Sequence, residues 1–385
     1  MPDFQLSETQ RLLRDQAHAF ARDVIRPVAS AYDRDPAWPE TIVEQAFELG
    51  YLQALIPAEL GGPGLGHLDE ALLAEELAWG CAGFFTTLLA NDLAMTPLLL
   101  AGTEAQQRHW LGRLLEAPRL AAFALSEPEA GSDVAALRCR AERQGDVYVV
   151  EGTKCFCTNG DKADWIVLFC RTEPSKGARG ISALIVPGDA PGLTFGAPLD
   201  KMGHRVARQV SLHFQGVRVP VDHRLGDEGS GFALAMRTLD RTRATVAAAA
   251  VGVARAAFER ATEHARTRVQ FGQPLIAHQA VGFALADMAT RIQASRLLAW
   301  EAAWRADRGL PNATASAMAK TFASDTAMAV TTEAVQILGG YGYCRDHLVE
   351  KLMRDAKLFQ IYEGTNQIQR LVMARELQRG DDPSR

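Results

Sequence analysis

Glu363 has the clearest chemical setting in the chain. It stands in Gln360-Ile361-Tyr362-Glu363-Gly364-Thr365-Asn366-Gln367-Ile368-Gln369-Arg370, between an apolar approach (Phe359, Ile361, Tyr362) and a Gly-Thr-Asn turn. Ile368, Leu371 and Val372 then recur at helical spacing, so a helix begins just past the turn. Asn366 and Gln369 read as its capping box. Gly364 is free to take a backbone angle that other residues avoid. The helix dipole favours a Glu363 anion, and the apolar neighbours oppose it. A carboxylate placed this way is a candidate general base. A surface Glu beside a turn has the same local pattern.

Five other stretches carry usable chemistry. Phe123-Ala124-Leu125-Ser126 runs into Glu127-Pro128-Glu129-Ala130-Gly131-Ser132-Asp133, a strand opening into a loop of small and hydroxyl residues. Backbone N–H groups and a hydroxyl there could approach a flat polar ligand, although an ordinary Ser/Gly turn reads alike. Lys154-Cys155-Phe156-Cys157-Thr158 sets an aromatic and a hydroxyl two apart, on one face of a strand; a single core Phe is the plain alternative. Asp240-Arg241-Thr242-Arg243 opens a long helix and reads locally as a solvated charge run. Arg268-Val269-Gln270-Phe271-Gly272, followed by His278-Gln279, suits a diphosphate beside a ring, and Gln336-Ile337-Leu338-Gly339-Gly340 ends a helix on a Gly pair. No Rossmann fingerprint or Walker A loop is present.

The elements that must position these residues fall into three blocks. Residues 1–120 read as helical, beginning with a Ser7–Gln10 capping box and the apolar series Leu13, Ala17, Phe20, Val24. Helices follow at about 40–49, from Asp69 through Trp79, and across about 83–100, and Gly61–Gly66 reads as a turn. Residues 121–230 change period to short β-rich runs: 121–125, 147–150, 154–157, 165–170, 181–186, 210–214 and 217–219. Gly-Asp, Asn-Gly and Pro-Gly pairs punctuate them. Residues 231–385 return to long Ala-rich helices whose faces permit close packing in a bundle. The expected fold class is α+β: an N-terminal helical domain, a central antiparallel β-barrel-like domain and a C-terminal four-helix bundle.

Bulk properties exclude several classes. The 385 residues are 48% hydrophobic and 23% charged, with a net charge of −5 of mixed sign, so nothing points to nucleic acid or a bilayer surface. No apolar run is expected to span a membrane, and no secretory or transit segment is read at the N-terminus. The six Cys lack C-x-x-C spacing and read as reduced core thiols of a cytoplasmic protein, with no metal expected.

The Tyr362–Arg370 stretch, with the rest of the chain from Leu6-Ser7-Glu8-Thr9-Gln10 to Ala374-Arg375, resembles the acyl-CoA dehydrogenase family, most closely its medium- and short-chain members. The resemblance implies an FAD flavoprotein of fatty-acid or branched-chain degradation. It would convert a short- to medium-chain acyl-CoA to the trans-2-enoyl-CoA, with Glu363 taking the α-proton and flavin N5 taking the β-hydride. It further implies a homotetramer that passes electrons to an electron-transferring flavoprotein.

Residue by residue, the resemblance assigns the flavin ring to Phe123, Leu125, Ser126, Phe156 and Thr158. It assigns a partner subunit's FAD diphosphate to Arg268, Phe271, Gln279, Gln336, Gly339 and Gly340, and the adenylate half to Gly364, Thr365 and Gln367. The substrate falls to Ser132, Asp240, Arg243 and Tyr362, with Phe85 and Leu89 near the floor of the acyl pocket. Thr242 stands where some branches carry their catalytic Glu, which supports Glu363. Two departures stand out: Phe156 where relatives usually have Trp, and Ala207 and Gln209 where small hydroxyl residues are common. The alternatives are a dehydrogenase or oxidase of branched-chain or carrier-protein thioesters, and a non-catalytic flavin- or thioester-binding paralogue.

Overall fold

A computed structural model describes residues 5–379. The N-terminal block is helical: α1 (Glu8–Phe20), α2 (Ala29–Arg34), α3 (Glu40–Glu48), α4 (His67–Gly80), α5 (Ala82–Leu88), α6 (Ala90–Ala101) and α7 (Glu104–Glu116). The expected capping box opens α1, with Ser7 Oγ accepting from the Gln10 amide at 3.1 Å and the Gln10 side chain returning to the Ser7 amide at 3.0 Å. Helix α4 starts two residues before Asp69, whose carboxylate instead accepts from the Gly66 amide at 3.1 Å. The single helix expected across 83–100 is two helices, broken at Leu89 (φ −95°, ψ 8°). Residues Ala82–Ala101 also correct the membrane expectation: this run of 20 residues with a mean hydropathy of 1.4 is long and apolar enough to span. Most of it is buried inside the protein, and it carries Thr86, Thr87, Asn91, Asp92 and Thr96 into the interior.

The central strands are β1 (Leu120–Ala124), β2 (Arg140–Gln144), β3 (Val147–Thr158), β4 (Ala163–Arg171), β5 (Ile181–Pro187), β6 (Leu193–Phe195), β7 (Gln209–Pro220) and β8 (Arg224–Leu225). They form one sheet in the order β6-β7-β3-β2-β4-β5-β8, antiparallel except that β4 pairs parallel with β1 and, at one position, with β2. The expected runs 147–150 and 154–157 are one strand, β3, with a bulge between Lys154 and Cys157. Phe156 sits in that bulge at φ 58°, so simple alternation does not carry across it to Thr158. Of the cysteines, Cys81, Cys139, Cys157 and Cys170 are buried, whereas Cys155 is half-buried and Cys344 exposed, so only four are core thiols.

The C-terminal helices are α8 (Gly231–Thr267), α9 (Gln279–Asp307), α10 (Ala313–Leu338), α11 (Val349–Phe359) and α12 (Asn366–Arg379); a two-residue hairpin, β9 (Val269–Gln270) and β10 (Gln273–Pro274), joins α8 to α9. Helix α8 is buried on every face from Thr242 to Ala254 and packs against both α4 and α10, which the run of Ala permits. The closest approach is at Gly252, where a Cβ would lie 2.1 Å from the Glu75 carbonyl oxygen of α4. The sheet docks on the bundle through Gly203 and His204, with the His204 amide donating to the Asp355 carboxylate of α11 at 2.6 Å.

Gly252→Ala must push α4 away from α8 and is expected to cost about 1–3 kcal/mol. Gly112→Ala on α7, where nothing lies within 4 Å, is expected to be neutral or to stabilise by up to about 1 kcal/mol. Thermal unfolding of the two variants checks both.

Candidate active site

Glu363 sits in the six-residue link between α11 and α12. Its carboxylate accepts from the Thr242 hydroxyl of α8 at 2.7 Å, a shorter contact than the 3.4 Å from that hydroxyl to the Thr238 carbonyl. Burial pushes the Glu363 pKa up to about 7, against the pull of the Thr242 hydrogen bond and of the Arg243 and Lys320 charges. Of the two opposing effects read from the sequence, desolvation wins.

The backbone at Glu363 is left-handed (φ 52°) and Gly364 follows at φ 89°. A non-glycine residue in that region costs about 1–2 kcal/mol, so the loop must be held. Lys320 of α10, fully buried, donates to the Gly364 carbonyl at 2.8 Å and to the Asn366 side chain at 3.0 Å. The Gln369 amide donates to the Gly364 carbonyl at 2.9 Å and the Glu363 carbonyl at 3.2 Å, and Arg243 Nε to the Glu363 carbonyl at 3.3 Å. Burial pushes Lys320 down to about 7. The expected capping box is corrected here. Thr365 caps α12, its hydroxyl accepting from the Ile368 amide at 3.3 Å, while Asn366 is buried and turns to Lys320, Ser324 and Asp325. Sequence reasoning missed Lys320; the signal was a lone lysine in a 26-residue helix otherwise rich in Ala and Thr.

An aromatic wall flanks Glu363. Phe359 is 5.7 Å from Tyr362 and 6.5 Å from Phe85, centre to centre, and the His204 ring is 5.3 Å from Phe359. Phe85 and Leu89 are both buried in the core cluster that includes this wall. His204 is fully buried and its pKa is lowered to about 4, so the ring is neutral. Nε2 lies 3.0 Å from the Asp355 carbonyl, which can only accept, so Nδ1 accepts from the Thr86 hydroxyl at 2.9 Å.

A second acidic feature was not legible from residue type or spacing. Glu70 of α4 and Asp92 of α6 are both 1% exposed, and both Asp92 carboxyl oxygens are buried without a donor among the described residues. Burial first, and then the neighbouring Glu70 carboxylate, holds Asp92 well above the usual carboxylate range. Glu70 also lies near enough to raise Glu363.

The loop after β1 and the strand β3 come together. The Cys155 amide donates to the Ser126 carbonyl at 2.9 Å; buried Lys154 donates to the Leu125 carbonyl at 2.8 Å and to Glu127 at 2.7 Å. Glu127 in turn accepts from the Arg138 and Cys139 amides. Leu125 is buried, Phe123 half-buried with its ring 4.9 Å from Phe169, and Ser126 and Thr158 half-buried; Phe156 is 67% exposed. Ser132 lies exposed further along the loop. Arg243 is buried beneath the Glu363 loop and paired with Asp240 at 2.6 Å, so Asp240 is the more accessible of the two expected substrate contacts. Gly364 and Thr365 are half-buried and Gln367 exposed.

One expected group stands apart. Arg268 lies roughly 39 Å along α8 from Thr242 at 1.5 Å per residue. Its guanidinium is 5.7 Å from the Tyr341 ring, beside Gly339 and Gly340, around whose Cβ positions nothing lies within 4 Å. Phe271, Gln279 and Gln336 are exposed, Phe271 almost completely. Within one chain the structure does not bring this group to Glu363.

Residues 7–117, 122–217 and 229–378 match the N-terminal, middle and C-terminal domains of acyl-CoA dehydrogenase. The chain is 46% identical over 375 residues to the cyclohex-1-ene-1-carbonyl-CoA dehydrogenase of Geobacter metallireducens, covering 97% of this chain and 98% of that one. The butyryl-CoA dehydrogenase of Megasphaera elsdenii superposes with a TM-score of 0.96 at 42% identity, covering 98% and 100%. The prolyl acyl carrier protein oxidase AnaB superposes with a TM-score of 0.93 at 31% identity, covering 97% and 100%. The chain belongs to the acyl-CoA dehydrogenase family of FAD-dependent oxidoreductases.

Proposed function

We propose that this enzyme carries out α,β-dehydrogenation of a short- to medium-chain acyl-CoA, with Glu363 as the base. The observation that carries the reading is the Glu363 carboxylate, raised to about 7 by burial and aimed by the Thr242 hydroxyl. The α-proton of a thioester is weakly acidic, so its removal needs an oriented base of matched pKa, a stabilised enolate oxygen and a dry site. Glu363 takes the proton. Its own amide N–H makes no hydrogen bond among the described residues and is free to donate to the thioester oxygen. Lys320, Gln369 and Arg243 keep the loop in place, and Phe85, Phe359, Tyr362 and His204 exclude water.

The residues fit FAD. Phe156 offers an exposed aromatic face, Thr158 a hydroxyl, the loop at Leu125–Ser126 backbone groups, and Arg268 with Gly339–Gly340 a cation beside open backbone. Bound FAD would supply the acceptor for the β-hydride. The distance between the two groups supports an assembly in which one subunit's Arg268 end completes another's site, the expected homotetramer. An electron-transferring flavoprotein is the proposed electron acceptor.

A second reading is favoured by the Glu70–Asp92 pair. A saturated straight chain has no use for a buried acid pair near the base; a conjugated acyl group does. The Geobacter relative is named for a cyclohexenyl thioester; its α-carbon carries no hydrogen, so on this reading the proton removed would come from a ring carbon conjugated with the thioester.

Anaerobic titration of the yellow protein decides between these. Butyryl- or octanoyl-CoA bleaching the flavin supports the first reading, and cyclohexane- or cyclohexene-carbonyl-CoA bleaching it alone supports the second. Glu363→Gln is expected to keep its flavin and lose at least about 10²-fold in bleaching rate; an unchanged rate would remove Glu363 as base. The rate of flavin reduction should rise with pH and level off above about 7, because only the ionised Glu363 accepts a proton. It should fall about tenfold per unit below that, as read by stopped-flow. Asp92→Asn is expected to slow the cyclic thioesters more than butyryl-CoA; equal effects on both would count against the second reading.

A further inference from the structure

Gln209 replaces a residue that was expected to be small and hydroxylated, and the structure gives it a definite partner. It opens β7 directly opposite Thr158, the last residue of β3. Gln209 is 7% exposed, and its Nε2 lies 3.0 Å from Thr158 Oγ1. Its Oε1 is buried and has no donor among the described residues. A threonine hydroxyl has one proton and two lone pairs. The Gln209 amide fills a lone pair, and no acceptor for the Thr158 proton lies among the described residues. Turned the other way, the same amide would accept that proton and consume it.

We propose that Gln209 is a positioning residue for the cofactor. By donating to Thr158 Oγ1, it leaves the hydroxyl proton free for an acceptor atom on the flavin edge that lies over this end of β3. The proposal rests on the flavin reading above, with exposed Phe156 two residues away and Ser126 bonded through Cys155. Gln209 touches no reacting atom in this scheme and acts only through Thr158. The buried, unpaired Oε1 is the cost of that orientation, and buried polar atoms left without partners cluster where a function keeps them.

The test is a double-mutant cycle on the FAD-loaded protein, read by flavin midpoint potential and visible spectrum. Thr158→Val and Gln209→Leu are each expected to shift the potential, and Gln209→Leu is expected to add nothing in the Thr158→Val background. Gln209→Glu, close in shape but able only to accept when ionised, should take the hydroxyl proton and behave as Thr158→Val does; it serves if Gln209→Leu does not fold. Equal Gln209→Leu shifts in both backgrounds, no shift from either Gln209 variant, or no shift from Thr158→Val would each overturn the proposal. A wild-type protein that binds no FAD would instead remove the flavin reading beneath it.

Discussion

The hydrogen bond from Thr242 to the half-buried Glu363 is the contact the rest of the architecture serves. A carboxylate in a dry site tends to keep its proton, and one beside strong cations tends to lose it altogether. Here burial raises Glu363 while a neutral hydroxyl, rather than a cation, makes the direct contact. Arg243 and Lys320 are close, but both are spent on loop carbonyls and side chains, so they hold the backbone and pull on the charge only at second hand. The outcome is a carboxyl group that titrates near neutrality on a backbone turn that would not persist unassisted.

That balance depends on packing far from the loop. Thr242 and Arg243 are placed by α8, whose burial on every face is eased by a central run rich in Ala; at Gly252 the α4 backbone occupies the space a side chain would take. The sheet is anchored to the same region by His204, neutral because it is buried, bonded on one side to Thr86 of α5 and on the other to α11. The loop after β1 is fixed by the buried Lys154–Glu127 pair, with Glu127 further satisfied by two backbone amides. A buried ion pair is tolerable when its remaining hydrogen-bonding capacity is filled in this way.

The sequence made legible whatever follows from local pattern. Helical and strand periods, the Ser7 capping box, the positive φ of Gly364 and the position of Glu363 between helices all depend on neighbours within a few residues. Features set by tertiary contact were not legible. Asn366 has the right type and spacing for a cap, but Lys320 and Ser324 claim its side chain, so Thr365 caps instead. Phe156 follows strand alternation until the bulge turns it to φ 58°. Glu70 and Asp92 have nothing in their local sequence that marks them as buried; the packing of α4 and of α6 against α8 shows that both are. Glu363 itself presented two opposing effects whose outcome depended on how much protein lies around the carboxylate.

The length of α8 adds one more constraint. The helix places its Asp240–Arg243 end under the base and its Arg268 end beside an open Gly339–Gly340 turn, and a rigid helix holds those ends apart. Residues suited to one dinucleotide therefore cannot all meet on it within a single copy. On the proposed reading, a second copy supplies what the first cannot, and cofactor affinity becomes linked to assembly: any condition that separates subunits removes the contacts of the Arg268 group. The same geometry accounts for exposed Phe271 and Gln336. The Phe271 ring meets that of His278 at 6.0 Å but is otherwise exposed, and on the same proposed reading both groups stand where a partner's cofactor would meet them.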